Sequence, residues 1–203
     1  HEDEWSSTDW SLGIDYKPNN DLMYYGKVST GYKSGGFRLG GLQANPSVDS
    51  ESILAFELGI KRRFDTMELN ASAYYYDYED MQVPVNAVIN GVNNLFFQNA
   101  KEASQFGIEL DLRWAATDNL TIFSTYSYMD TEIDSMGRDV FDTTEVIPVG
   151  SDLSGNELIK SPPHKLTVNA DYTWNLENSE LKFVASYIHT DEQWSSIFNR
   201  ENT

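Results

Sequence analysis
The chain has 203 residues, with 14 Lys and Arg against 32 Asp and Glu, a net charge of -18 and a pI near 4.3. That balance excludes a basic stripe for nucleic acid and a polybasic helix for a membrane surface, and the lack of cysteine excludes disulfide frameworks and thiolate metal sites. No apolar run approaches the roughly 20 residues of a spanning helix, yet a mean hydropathy of -0.49 leaves a barrel open, because a barrel strand needs about 10 residues and makes only alternate ones apolar.

Taken in chain order, the segments alternate apolar and polar with period two, the mark of a strand with two unlike faces. Irregular alternation runs over 10–16 and 22–32, and a regular stretch follows at Leu54, Phe56, Leu58 and Ile60 against Glu57, Gly59 and Lys61. Leu69, Ala71, Ala73 and Tyr75 then alternate with Glu68, Asn70, Ser72 and Tyr74. The clearest case sets Phe106, Ile108, Leu110, Leu112 and Trp114 against Gln105, Gly107, Glu109, Asp111 and Arg113. A weaker segment at 120–129 precedes Leu166, Val168, Ala170, Tyr172 and Trp174, which alternate with Thr167, Asn169, Asp171 and Thr173, and a last one covers 181–189. About eight strands rich in aromatic and β-branched residues result.

The connections alternate in length as well. Short turns of Pro, Asn, Asp, Ser and Thr are predicted at 18–21, 65–66, 117–119 and 175–179. Long loops are predicted at about 33–52, 78–99 and 131–163, and from 190 onward. Strict alternation puts every short turn on one rim of an antiparallel up-and-down sheet and every long loop on the other, the asymmetry of outer-membrane barrels and not of a Greek-key sandwich. In the 106–114 strand the apolar face carries no charge, and its partner face holds Glu109, Asp111 and Arg113, as hydrocarbon outside and water inside require. Aromatic residues gather near strand ends, among them Trp10, Tyr16, Tyr24, Tyr32, Trp114, Tyr126, Tyr128, Tyr172 and Trp174, where interfacial girdles belong.

Four stretches carry a family resemblance. Tyr32-Lys33-Ser34-Gly35-Gly36-Phe37 looks like a strand end and loop start common in TonB-dependent outer-membrane receptors, and Phe56-Glu57-Leu58-Gly59-Ile60-Lys61 is similar to their recurring YELGLK strand. The stretch from Asn99 to Leu110 resembles NAGKARIYGLELE, and Ser161-Pro162-Pro163-His164-Lys165-Leu166 resembles APKHT. The order and spacing match over about residues 10 to 190. The resemblance implies an all-β fold, an antiparallel up-and-down transmembrane β-barrel present here in part, with residues 1–203 supplying about eight of some 22 strands. It also implies a plug domain, a TonB box and final strands outside this chain. Implied partners are outer-membrane lipid and lipopolysaccharide, the TonB energy-coupling complex acting through that plug and box, and a scarce solute such as an iron chelate of the siderophore type. The implied location is the outer membrane of a Gram-negative bacterium with the long loops extracellular. Two other readings stand beside it: a passive porin or structural barrel, and a soluble extracellular β-sandwich that binds glycans.

Catalytic and metal motifs are not found in the sequence. Gly150-Ser151-Asp152-Leu153-Ser154-Gly155 fails the spacing of a nucleophile elbow, and His1, His164 and His189 form no His-Glu-x-x-His set. His164 reads as a turn residue before a strand. Asp130, Glu132, Asp134, Asp139 and Asp142 read as solvated loop charge, since Ser135 stands where an EF-hand requires glycine. No catalytic residue, metal ligand or cofactor is therefore assigned. The candidate ligand contacts are Tyr32, Lys33, Phe37 and Arg38, cationic and aromatic groups spaced by glycine in a long loop carried on a rigid wall.

Overall fold
The computed structural model describes residues 4–37, 47–89, 92–136 and 152–199. Its strands are β1 (Ser11–Asn19), β2 (Leu22–Lys33), β3 (Gly36–Phe37), β4 (Ser47–Val48), β5 (Glu51–Arg63), β6 (Met67–Ile89), β7 (Val92–Ala115), β8 (Leu120–Met136), β9 (His164–Asn175) and β10 (Glu180–Thr190). Eight of them form one antiparallel sheet in the order β1-β2-β5-β6-β7-β8-β9-β10, while β3 and β4 make a separate hairpin. Neighbours in the sheet are neighbours in sequence, so the eight periodic segments are the eight strands of an up-and-down meander. Among the described residues the other sheet is the short β3–β4 pair alone, and one eight-stranded meander is not the two packed Greek-key sheets of a β-sandwich.

Register sorts the side chains. Residues paired across an antiparallel ladder share a face, and Leu12, Val28, Phe56, Tyr75 and Phe106 follow one another across five strands. Ile14, Gly26, Leu58, Ala73, Ile108 and Tyr128 form the next row. Across β1, β2, β5, β6 and β7 these two rows and the row of Tyr16, Tyr24 and Ile60 carry no Asp, Glu, Lys or Arg. This face is also uncovered: Leu12, Ile14 and Leu58 are 71%, 74% and 69% exposed. Phe106 and Trp114 bracket the apolar run of β7, a span of about 27 Å at 3.4 Å per residue, which matches a hydrocarbon band roughly 25 Å tall. The opposite face carries Tyr25, Lys27, Glu57, Lys61, Asn70, Ser72, Glu109 and Asp111.

Two glycines on that polar face admit neighbouring rings. Gly59 is paired with Tyr25 and Gly107 with Tyr74, and a Cβ at either glycine would collide with the ring opposite. The seated rings keep polar partners: Tyr25 donates its hydroxyl to Glu57 Oε1 at 2.6 Å, and Gln105 Nε2 donates to the Tyr74 hydroxyl at 3.1 Å. Tyr74 stacks in turn on Tyr76, ring centroids 4.6 Å apart.

The short turns fall where predicted and close by local bonds. Asn19 Oδ1 accepts from the Asp21 amide, Thr117 Oγ1 accepts from the amides of Asn119 and Leu120, and Leu176 donates its amide to the Ser179 carbonyl. On the other rim the 78–99 loop is corrected. β6 and β7 continue as a paired ladder from Met81 with Ala100 to Ile89 with Val92, well past the last β5–β6 pair at Ser52 and Glu79. Asp80, at φ 54°, interrupts the ladder without changing its count. Pro84 is compatible with this extension because β6 has lost its β5 neighbour there, and an edge position needs no amide donor. Similarly, β8 continues to Met136 inside the predicted 131–163 loop, and the 33–52 loop contains β3 and β4.

Two outcomes are expected for the complete receptor carrying this segment, measured by denaturant unfolding in a bilayer. Leu58→Arg costs about 2–4 kcal/mol and Thr125→Arg on the polar face about 1 kcal/mol or less. Gly107→Ala, which unseats Tyr74, costs about 1–3 kcal/mol, while Gly36→Ala stays within about 0.5 kcal/mol because no atom stands near its missing Cβ. Equal costs within either pair would contradict the assignment of faces or of ring seats.

Candidate ligand-binding rim
The long-loop rim is held by side chains that bridge loop bases. Lys33, at the end of β2, pairs with Glu51 at the start of β5, Nζ to Oε2 3.6 Å. The same Glu51 oxygen accepts the Gln82 amide at 2.8 Å, and Gln82 Nε2 donates to the carbonyls of Ser34 and Asp49. Asn99, the register partner of Gln82, completes the set. Its Nδ2 donates to the carbonyls of Asp49 and Asp80, and its Oδ1 accepts the Asp49 amide. The β6–β7 extension thus clamps both stems of the segment that leaves β2 and returns to β5. Trp5 adds a ring against Gly35, where a Cβ would strike the indole.

A second cluster lies beside this clamp. Val83, Ala100, Ala103, Ile133, Leu153, Leu158 and Ile197 are buried together, with Ile133 fully enclosed. Ala100 and Ala103 are three apart and would face opposite ways on a regular strand. The ladder to β8 is irregular between Ala100, Glu102 and Ala103, and this brings both into one core. The open edge of β8 is also occupied: the amides of Met129 and Ile133 donate to the carbonyls of Pro163 and Asn156, and Gly155 returns its amide to Ile133. Gly155 sits at φ +87°, a left-handed position that glycine occupies without strain. Leu158 donates its amide to Thr131 Oγ1, and Asn156 Nδ2 donates to the Ile197 carbonyl. The segment before β9 and the one after β10 are therefore layered against β8, giving the rim a small dry core.

The predicted contact residues separate on this frame. Tyr32 and Lys33 are successive strand residues, so they point to opposite faces. Register puts Tyr32 with Ser52, Thr30 and Val28 on the side that becomes apolar lower down, and Lys33 with Glu51 on the polar side. The Tyr32 hydroxyl is shielded and has no partner among the described residues. Phe37 lies in β3 opposite Ser47, and Arg38 falls outside the described residues. The Gln82–Asn99 clamp was missed by sequence reading because both amides lay in a stretch taken for loop. Its signal was the alternation of Met81, Val83 and Val85 beyond Tyr78.

Asp130, Glu132 and Asp134 sit on β8, while Asp139 and Asp142 fall outside the described residues, and among the described residues no group of three or more His, Asp or Glu is placed to hold a metal. His164 opens β9 instead of preceding it, accepts or donates at Nδ1 to the Tyr126 hydroxyl at 2.8 Å, and lies against the Tyr128 ring. It belongs to an aromatic belt with Phe106.

Replacing Asn99 by Ala, which leaves the Asp49 amide without its acceptor, is expected to cost about 1–3 kcal/mol and to speed amide exchange at Asp49. Tyr32→Phe, which removes a shielded donor without a described partner, is expected to be neutral or stabilising by up to about 1 kcal/mol. Denaturant titration and hydrogen exchange check both.

A family model described as TonB dependent receptor-like, beta-barrel, matches residues 2–202. The pesticin receptor of Yersinia enterocolitica is 32% identical over 106 residues, covering 51% of this chain and 15% of that protein. A probable TonB-dependent siderophore receptor of Acinetobacter baumannii, PiuA, is 23% identical over 197 residues, covering 94% of this chain and 25% of that protein. The crystal structure of the ferric yersiniabactin uptake receptor FyuA from Yersinia pestis superposes with a TM-score of 0.73 at 18% identity, over 94% of this chain and 27% of that one. The chain thus spans about a quarter or less of the length of these relatives. With the open eight-stranded meander and its two unlike faces, the match over nearly every residue decides the family: the chain belongs to the TonB-dependent receptor β-barrels of the Gram-negative outer membrane.

Proposed function
We propose that this chain is wall and rim of a receptor that takes up a ferric siderophore-type iron complex across the outer membrane by TonB-dependent active transport. The long hairpins stand outside the cell, the apolar face meets lipid and lipopolysaccharide, and the polar face lines the lumen. The TonB complex acts through a plug and TonB box carried elsewhere in the full protein. The observation that carries the reading is the family match along residues 2–202, joined to relatives named as a probable TonB-dependent siderophore receptor and a ferric yersiniabactin uptake receptor. The clamped rim is consistent with it, since binding loops on a rigid wall lose less entropy when a ligand orders them. Within the rim, Lys33 and Arg38 are the proposed contacts for the anionic part of the chelate, and Tyr32 and Phe37 for its apolar part. Lys33 lies on the polar face of the register, the face proposed to line the lumen, where a captured solute would enter.

Deleting the gene for the complete receptor is expected to abolish uptake of its ferric chelate under iron limitation. Lys33→Ala combined with Arg38→Ala is expected to weaken chelate binding about ten-fold or more, with the barrel still assembled. A panel of radiolabelled ferric chelates, with and without collapse of the inner-membrane proton gradient, decides the matter. Uptake indifferent to that gradient would mark a passive pore and sink the proposal.

A further inference from the structure
Three cations stand in a row at the end of β5, and strand alternation sends them to different faces. Lys61 and Arg63 share the polar face and have partners there. Lys61 Nζ lies 5.8 Å from the centroid of the Tyr25 ring, and Arg63 Nε meets Glu68 Oε1 at 3.0 Å. Arg62 points the other way. Its register partners are Leu22 and Leu69, so it continues the apolar row of Leu54, Phe56, Leu58 and Ile60. Among the described residues no ion pair engages it, and its guanidinium stands 5.0 Å from the centroid of the Phe64 ring.

The depth of Arg62 is set by its neighbours. Tyr16, Tyr24 and Ile60 are aligned across β1, β2 and β5, and the two tyrosine rings stack at 6.5 Å. Arg62 itself pairs with Leu22, the first residue of β2, and stands two residues before the 64–66 turn, so it closes the apolar row at the short-turn end. It lies two positions beyond Ile60 toward the short turns, about 7 Å nearer water. Among the described residues it is the one Lys or Arg on that face between the rows of Leu22 and Tyr128, in a chain whose net charge is -18. A guanidinium with apolar register partners at the turn end of the sheet, in no ion pair among the described residues, can extend its long stem toward the water side, where a lipid phosphate fits its planar donor fork. A cleft at the same rim is lined by Arg62 together with Lys17, Asn20, Asp21, Leu22 and Glu68.

We infer that Arg62 is a lipid-anchoring site, binding the headgroup phosphate of a phospholipid in the leaflet at the short-turn rim. The inference rests on the membrane orientation proposed above, and it assigns Arg62 to the lipid side while Lys61 and Arg63 serve the lumen wall.

Native mass spectrometry of the complete receptor, released from micelles doped with phosphatidylglycerol or phosphatidylethanolamine, counts the phospholipids that stay bound. One basic residue at a membrane surface contributes about 1 kcal/mol, so Arg62→Gln is expected to lower retention about five-fold, with Arg62→Lys intermediate and Arg63→Gln unchanged. Excess inorganic phosphate is expected to leave retention by the wild type unaltered. Equal retention by the wild type and Arg62→Gln overturns the proposal, and so does displacement of lipid by free phosphate, which would mark a soluble-anion site. Heat-modifiable migration on a gel reports the barrel separately. A wild type lacking it overturns the membrane reading and this proposal together, whereas a folded barrel indifferent to Arg62 overturns this proposal alone.

Discussion
In hydrocarbon no water is present to bond an exposed amide or carbonyl, and every other feature of this chain follows from that demand. An extended strand meets it only through neighbours on both sides, so eight strands lie side by side in sequence order and each ladder is nearly unbroken within the apolar band. The same extended backbone throws successive side chains to opposite faces. A single local geometry therefore yields one wall with two chemistries. Where the chain leaves the band, the ladder relaxes: Asp80 adopts a left-handed conformation and the β7–β8 register shifts near Glu102.

The rim follows a different rule, since water and loops are present there. Polar side chains serve as backbone partners in place of strands, with Gln82 and Asn99 spanning two segments and Thr131 and Asn156 two more. A small enclosed core around Ile133 and Ile197 then supplies the packing that the uncovered sheet lacks. The wall is thus fixed by bilayer and ladder, and the rim by contacts resembling those of a soluble domain.

The sheet was legible in the sequence because its physical cause is local: one strand such as 106–114 shows both faces without knowledge of its neighbours. All eight segments lie within observed strands or within a residue of their ends, although most strands run further toward the long-loop rim. That excess was obscured where composition favours turns, as with Pro84 and the Asn-rich stretch at 90–94. A strand beyond the membrane need not keep one face greasy, so its alternation weakens. The rim clamp was not legible because Asn99 reaches Asp49 across 50 positions, and no pattern along the chain encodes such a meeting. The opposed directions of Tyr32 and Lys33 were implicit in strand alternation, but became useful only once register tied each face to its neighbours.

Greasy-and-wet alternation has a blind spot. Sliding one strand past the next by two residues returns every side chain to its proper face, so lipid would accept the slipped sheet as readily as the true one. The tyrosine rings in their glycine seats remove that ambiguity. Displaced by two positions, Tyr25 would meet Glu57 or Lys61 instead of Gly59, and Tyr74 would meet Gln105 or Glu109 instead of Gly107. Two of the sheet's seams therefore carry a key and a slot that fit at one offset alone, and strands that join during assembly can be proofread by shape where hydrophobicity is indifferent.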